Sequence, residues 1–514
     1  MGGSRRENGL ILDGDLLRDL AGRAAEFVAG YWSRVGELPV VSRCRPGDVL
    51  SRLPKHPPEK GIADGADSWD RVFADLESIV LPGLTHWQSP RFFAYFPANI
   101  STPSVIGEWI AAGLGVQGML WLTSPACTEL EMRVLDWVAE MIGLPGSFRS
   151  ESVNGGGVIQ GTASEATLSA LVAGRDRVRR AAGAERVRDR LTVYASEEAH
   201  SSVIKAALVA GLADGPDDRR RVRLIGVDER CAMRADELES ALRRDVESGL
   251  LPCFVGATVG TTGTTAVDPV GAIAEAIGRA CPKEARPWLH VDAALAGSAC
   301  VCPEFRWMLE GVDRADSVCF NPHKWLLTNF DCDCFFTRDR ESLVRSHAIT
   351  PEYLRNRASE SGAVFDYRDW HVPLGRRFRA LKLWLVIRSF GAEGLRGHIR
   401  RHVELARHFE DLVREDDRFE IVTPRVLNLV CFRMKHADDG REAFAAGDAA
   451  NLRLLEAVNG TGRVFLTHTK VPGRGGRRVA LRLAVGSVTT TRADVEEAWA
   501  LLRGHAAAVL GSAS

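Results

Sequence analysis

Lys324 sits in Asn321-Pro322-His323-Lys324-Trp325, just past the strand-like run Asp316-Ser317-Val318-Cys319-Phe320 and ahead of a second apolar stretch. It is one of eight lysines among 66 basic residues, so arginine carries most of the positive charge. Arginine cannot lose its proton to form an imine, whereas a desolvated lysine amine can. Residue type and setting therefore admit a covalent use. A lysine that only extends its amine to solvent from the end of a buried strand fits the pentapeptide equally well.

Asp292 closes the run Trp288-Leu289-His290-Val291 and is followed by Ala293-Ala294. A carboxylate at a strand's carboxyl end faces the region where α/β sheets bind ligands. There it can meet a ribose hydroxyl, a metal or a protonated ring nitrogen, or simply cap a helix. The stretch Gly155-Gly156-Gly157-Val158-Ile159-Gln160-Gly161 reads as a glycine-rich loop, but lacks the G-x-G-x-x-G spacing of a dinucleotide site. Ligand partners for a metal are missing nearby, and no metal is expected. Behind that loop, Gly161-Thr162-Ala163-Ser164-Glu165 opens a helix whose free N–H groups and hydroxyls suit an anion, unless Ser164 is only an N-cap. Gly260-Thr261-Thr262-Gly263-Thr264-Thr265 is a second hydroxyl-rich loop after a strand. His200 directly precedes a helix, and alone it is better explained by structure than by chemistry.

Taken together these groups converge on pyridoxal 5'-phosphate: a phosphate cradle, a carboxylate for a ring nitrogen, a lysine for an aldehyde and an imidazole able to stack. The phosphate loop, histidine, aspartate and lysine come in an order that suits successive strand ends.

The elements that must hold them follow from periodicity. Helical spacing over 15–35 is followed by proline-rich loops and by the aromatic segment Trp87 to Pro97, which could line a pocket for a flat apolar ligand. Between about 105 and 340, helical stretches (129–142, 165–180, 201–210, 235–247, 269–279) alternate with β-branched runs (191–195, 222–227, 254–259, 288–291, 317–320, 334–337). That alternation predicts an α/β fold with a mainly parallel sheet covered by helices. Beyond about 385, short strands (420–422, 427–432, 479–483) mix with helices (399–415, 449–458, 492–502), as in a smaller α+β unit. The expected units are 1–101, 102–382 and 383–514.

Composition limits the function classes. A net charge of -1 with 26% charged residues gives no extended basic surface for nucleic acid or anionic membrane, and no apolar run reaches membrane-helix length. Basic residues near Met1 lack an apolar core behind them. The 11 cysteines lack zinc-site spacing and read as reduced thiols, so a cytoplasmic protein is expected.

Six motifs carry a resemblance over nearly the whole chain: Leu81-Pro82-Gly83-Leu84-Thr85-His86-Trp87, Phe93-Ala94-Tyr95-Phe96-Pro97, Ser124-Pro125-Ala126-Cys127-Thr128-Glu129-Leu130-Glu131, His290-Val291-Asp292-Ala293-Ala294, Asn321-Pro322-His323-Lys324-Trp325 and Pro373-Leu374-Gly375-Arg376-Arg377-Phe378-Arg379. The chain resembles the pyridoxal-phosphate aromatic-L-amino-acid decarboxylases, group II enzymes of fold type I. The resemblance implies that Lys324 holds the cofactor, Asp292 pairs with its ring nitrogen and His200 stacks on it. It also implies that Ala163, Ser164, Thr262 and Asn321 contact the cofactor or its phosphate. Trp87 and Tyr95 would line the side-chain pocket, and Tyr353 would be the tyrosine of a catalytic loop over 346–365. A homodimer with sites at the interface follows from the same likeness.

Departures from the family pattern touch the substrate. Ala98 stands where animal members have threonine, Leu295 replaces a tyrosine, and Met119 occupies an aromatic position contributed by the partner subunit. Gly375 resembles the glycine of plant members that prefer indoles. Tryptophan is therefore the favoured substrate, with phenylalanine and tyrosine next. The rival readings are an aromatic aldehyde synthase, whose loop tyrosine is often phenylalanine, an aminotransferase, which lacks the whole-length match, and a catalytically silent pyridoxal-phosphate protein.

Overall fold

The computed structural model describes residues 12–62, 67–183, 187–349, 364–435, 441–473 and 476–511. Helix α1 (Gly14–Arg34) starts where the Asp13 carboxylate accepts the Asp15 and Leu16 N–H groups. A Ser101/Ser104 capping box opens α2 (Thr102–Leu114), and Ser124 caps α3 (Pro125–Ile142). Then follow β1 (Gly156–Gln160), α4 (Ala163–Ala181), β2 (Leu191–Ser196), α5 (Ser202–Val209), β3 (Val222–Ile225), α6 (Ala235–Glu247), β4 (Leu251–Thr258), α7 (Val270–Ala280), β5 (Trp288–Asp292), β6 (Ser317–Phe320), the single turn α8 (Pro322–Trp325), β7 (Asp333–Thr337) and α9 (Arg340–His347). The last third contains α10 (Arg379–Arg414), β8 (Phe419–Ile421), β9 (Leu429–Met434), α11 (Arg441–Gly460), β10 (Thr467–Gly473), β11 (Gly476–Ala484) and α12 (Arg492–Gly511).

Seven strands form one sheet in the order β1-β7-β6-β5-β4-β2-β3. Neighbours from β6 to β3 run parallel, and only β7 is antiparallel to its neighbours β6 and β1. The expected α/β architecture is thus present. Apolar residues of α3, α6 and α7 pack on one sheet face and those of α4 and α5 on the other, so β1, β2, β5, β6 and β7 are buried along their whole length. A second sheet, β10-β11-β9-β8, packs with α10, α11 and α12 around Phe409, Phe432 and Trp499.

Two strands depart from the sequence reading. Residues 156–160, expected to be part of a glycine-rich loop, form β1. The glycines are there for space: a Cβ on Gly156 would lie 2.8 Å from Trp370, and one on Gly157 would lie 2.8 Å from Phe336. β10 was not expected, because its exposed, polar sequence carries no apolar alternation. Helix α10 is longer than its periodicity indicated and is interrupted at Gly391, whose φ of 60° breaks the helical backbone. No helix among the described residues is long and apolar enough to cross a membrane. All 11 cysteines are free thiols, ten of them buried.

Candidate active site

The carboxyl ends of β1, β2, β4, β5 and β6 each deliver part of one cavity. After β1 comes the α4 N-terminus, after β2 comes His200, and after β4 the loop with Gly260 and Thr262. Asp292 ends β5, and Asn321 and Lys324 follow β6. The cavity has a volume of about 210 Å³ and is lined by Ala163, Ser164, His200, Thr262, Asp292, Asn321 and Lys324, together with Phe96, Thr162, Thr258, Gly260, Ala294, His323 and Phe330. All seven residues expected around the cofactor therefore meet in one place. Two roomier clefts, near Arg223 and Arg177, are lined largely by ion-paired arginines and carboxylates and hold none of these groups.

Lys324 Nζ lies 5.6 Å from the centroid of the Phe96 ring and has no hydrogen bond or ion pair among the described residues. Burial lowers its pKa, while the Asp292 carboxylate opposes that shift. An amine so placed reaches its uncharged, nucleophilic form more readily than a surface lysine. One Asp292 oxygen accepts the Ala294 N–H at 3.0 Å, and the carboxylate faces the cavity. His200 Nδ1 accepts the Ser202 N–H at 3.1 Å, which leaves the proton of the neutral imidazole on Nε2. Burial lowers the His200 pKa; Asp292 raises it and Lys324 lowers it further, so the ring stays neutral at ordinary pH.

At the α4 N-terminus, Thr162 makes no side-chain cap, and the Ala163 and Ser164 N–H groups have no partner among the described residues. A 19-residue helix thus presents its positive end and two free donors to the cavity. Across from it, Gly260 has a φ of 87°, and a Cβ there would lie 2.7 Å from the Ala296 Cβ, so the turn admits no side chain.

The chain matches the pyridoxal-dependent decarboxylase conserved domain over residues 46–435. It belongs to the pyridoxal-dependent decarboxylase family. It is 44% identical to phenylacetaldehyde synthase of Arabidopsis thaliana, over 97% of either chain. It is likewise 44% identical to tryptophan decarboxylase 2 of Oryza sativa subsp. japonica, over 97% of this chain and 96% of that one. A crystal structure of Oryza sativa TDC with PLP and tryptamine superposes with a TM-score of 0.90 at 43% identity, covering 96% of this chain and 98% of that one. The enzyme is accordingly a pyridoxal-phosphate-dependent carboxy-lyase of fold type I. The cavity fits the cofactor on its own terms: a lysine and two helix-terminal N–H groups without partners among the described residues, and an inward carboxylate, are the groups its aldehyde, phosphate and ring nitrogen require.

The residues expected on the substrate side are placed differently. Trp87 and Tyr95 stack at 5.7 Å but are largely exposed and do not line this cavity, nor do Ala98, Met119 and Gly375. Met119 and Gly375 lie close together instead, since the Gly118 N–H donates to the Arg376 carbonyl. Tyr353 lies outside the described residues. Phe96 comes from the aromatic segment expected to line a pocket, whereas three other wall residues, Thr258, His323 and Phe330, were not singled out from sequence. His323 adjoins Lys324, yet its burial, its Nδ1 contact with the Cys332 backbone and its ring contact with Phe330 emerge only on folding.

Proposed function

We propose that this enzyme decarboxylates an aromatic L-amino acid to its arylalkylamine and carbon dioxide, with tryptophan favoured over phenylalanine and tyrosine. The observation that carries the reading is the unpaired Lys324 amine facing Asp292, His200 and the α4 N-terminus in a single cavity. When bound, pyridoxal phosphate supplies the electron sink for the pair released as the Cα–carboxylate bond breaks. Lys324 would hold its aldehyde carbon, Asp292 its ring-nitrogen proton, and His200 one face of the ring. Ala163 and Ser164 N–H groups, with the Ser164 and Thr262 hydroxyls, would hold the phosphate, and Asn321 would contact the cofactor beside Lys324. Tyr353 would deliver the proton that Cα needs once carbon dioxide has left.

A cavity of about 210 Å³ is small beside the about 300–1,000 Å³ typical of ligand sites. The substrate's aryl group therefore needs further walls, for which Trp87, Tyr95, Ala98, Met119 and Gly375 are our candidates. Ile106, Trp109, Leu114, Leu122, Val372 and Leu374 form exposed apolar surface, which supports a homodimer that completes the site across its interface. Free thiols support a cytoplasmic location. We keep three units, 1–101, 102–382 and 383–514; the separate aromatic core around Phe409, Phe432 and Trp499 supports the last.

The substrate assignment is checked by giving the cofactor-loaded enzyme tryptophan, phenylalanine, tyrosine and histidine separately and following each amine by mass spectrometry. Tryptamine should form fastest and histamine should be negligible; a preference for histidine would contradict the reading. Aldehyde synthesis is the rival, since a relative of that name is as similar as the decarboxylase. Tyr353 favours the amine.

A further inference from the structure

Gln160 and Asp333 are directly opposite each other where β1 meets β7. Val158 and Phe335, two positions along each strand, both belong to the packing layer under α4, so Gln160 and Asp333 point to that same face. Both residues are fully buried, and both carboxylate oxygens of Asp333 and both amide atoms of Gln160 lack a hydrogen-bond partner among the described residues. Asn321 Oδ1, just beyond the Phe320–Cys334 pair of β6 and β7, is a third buried group without one. An ionised Asp333 would make four orphaned acceptors (two carboxylate oxygens, Gln160 Oε1 and Asn321 Oδ1) against a single donor group, the Gln160 amide nitrogen. One added proton repairs the mismatch. A carboxylic acid can accept from Gln160 Nε2 and donate to Gln160 Oε1 or Asn321 Oδ1, within the short span of a directly opposed antiparallel pair or through one buried water.

We infer that Asp333 is held as a neutral acid paired with Gln160, a positioning residue that leaves Asp292 as the one anionic carboxylate pressed against the cofactor cavity. The ionisable groups that act on it electrostatically are Asp292 on β5, Cys319 on β6, Lys324 on α8 and Glu165 on α4, with Cys332 and Cys334 in the opposite packing layer. Glu165 is already engaged by His371 and the Gly161 N–H, and Lys324 is needed by the cofactor, so no cation among the described residues is free to neutralise a second buried anion. Burial and the neighbouring negative groups, Asp292 foremost, push the Asp333 carboxyl in the same direction. The acid–amide pair also ties β1, which ends at the phosphate-binding turn, to β7, which adjoins the Lys324 strand. The inference rests on the assignment of Lys324 and Asp292 to the cofactor only for its second test.

The first test is the infrared spectrum of the enzyme at about pH 8, where an ordinary aspartate is ionised. Wild type should carry a carboxylic-acid C=O band that Asp333→Asn lacks. Identical spectra in that region would overturn the inference. Asp333→Ser serves the same comparison if the asparagine variant does not fold. The second test titrates the visible absorbance of the bound cofactor against pH. Exchanging a neutral acid for a neutral amide should leave the midpoint unmoved. A fall of about one pH unit or more would mean that an anion had been removed, and would overturn it too. If the cofactor assignment fails, there is no such transition at Lys324, while the infrared result still decides the state of Asp333.

Discussion

At the scale of single residues, the site depends on contrasts of charge at short range. Lys324 is desolvated and has no ion pair among the described residues, whereas the buried Lys382 is paired with Glu108 at 2.7 Å. Burial alone does not make a nucleophile; burial without a partner does. Replacing Lys324 by Ala should abolish the visible absorbance of covalently held cofactor as well as turnover, and an unchanged spectrum would remove Lys324 from that role. In the proposed reaction the product depends on a different side chain. Tyr353→Phe should cut amine formation about 10²-fold or more and release aldehyde and peroxide. Full amine output from that variant would take the proton-delivery role away from Tyr353.

At the scale of elements, the strand ends are held in register by a buried ionic node. Arg376 Nη2 donates to Glu131 on α3 at 2.6 Å and to the Ile159 carbonyl on β1 at 2.9 Å, while its Nε meets His371 at 2.8 Å. Glu131 in turn accepts the Ile159 N–H at 2.8 Å. Arg376→Leu strands the Glu131 charge and should cost about 3–5 kcal/mol in denaturant unfolding; a loss below about 1 kcal/mol would contradict this reading of the node. Glu131 and Arg376 were visible in sequence as motif letters, but their pairing across 245 positions was not, and His371 lay outside every motif. The groups that meet in the cavity were legible because lysine, aspartate and hydroxyl clusters followed strand-like runs. β1 was not, because its glycines read locally as a loop while the reason for them, Trp370 and Phe336, lies far along the chain. The wall at Phe330 escaped for a similar cause, whereas Phe96 lay in the aromatic segment expected to line a pocket.

At the scale of the whole molecule, buried neutral histidines tie stability to pH. Burial lowers His290 and His323 to about 4 and His398 to about 3. An unfolded histidine titrates near about 6.5, so between that pH and about 4 the unfolded chain binds more protons than the folded one. Stability is then full above about pH 6.5 and is lost as the pH falls, each histidine contributing up to about 1.4 kcal/mol per pH unit. Thermal midpoints should drop steeply across that window, and a flat profile would contradict the neutral assignment. The same molecule joins a nearly complete cofactor cradle to an incompletely walled substrate side, which is why its reaction class is better defined by one chain than its substrate. The most direct measurement is the stoichiometry of products from L-tryptophan and the cofactor-loaded enzyme in air. One tryptamine per carbon dioxide, without peroxide, is the predicted result; indole-3-acetaldehyde with equimolar ammonia and peroxide would contradict it.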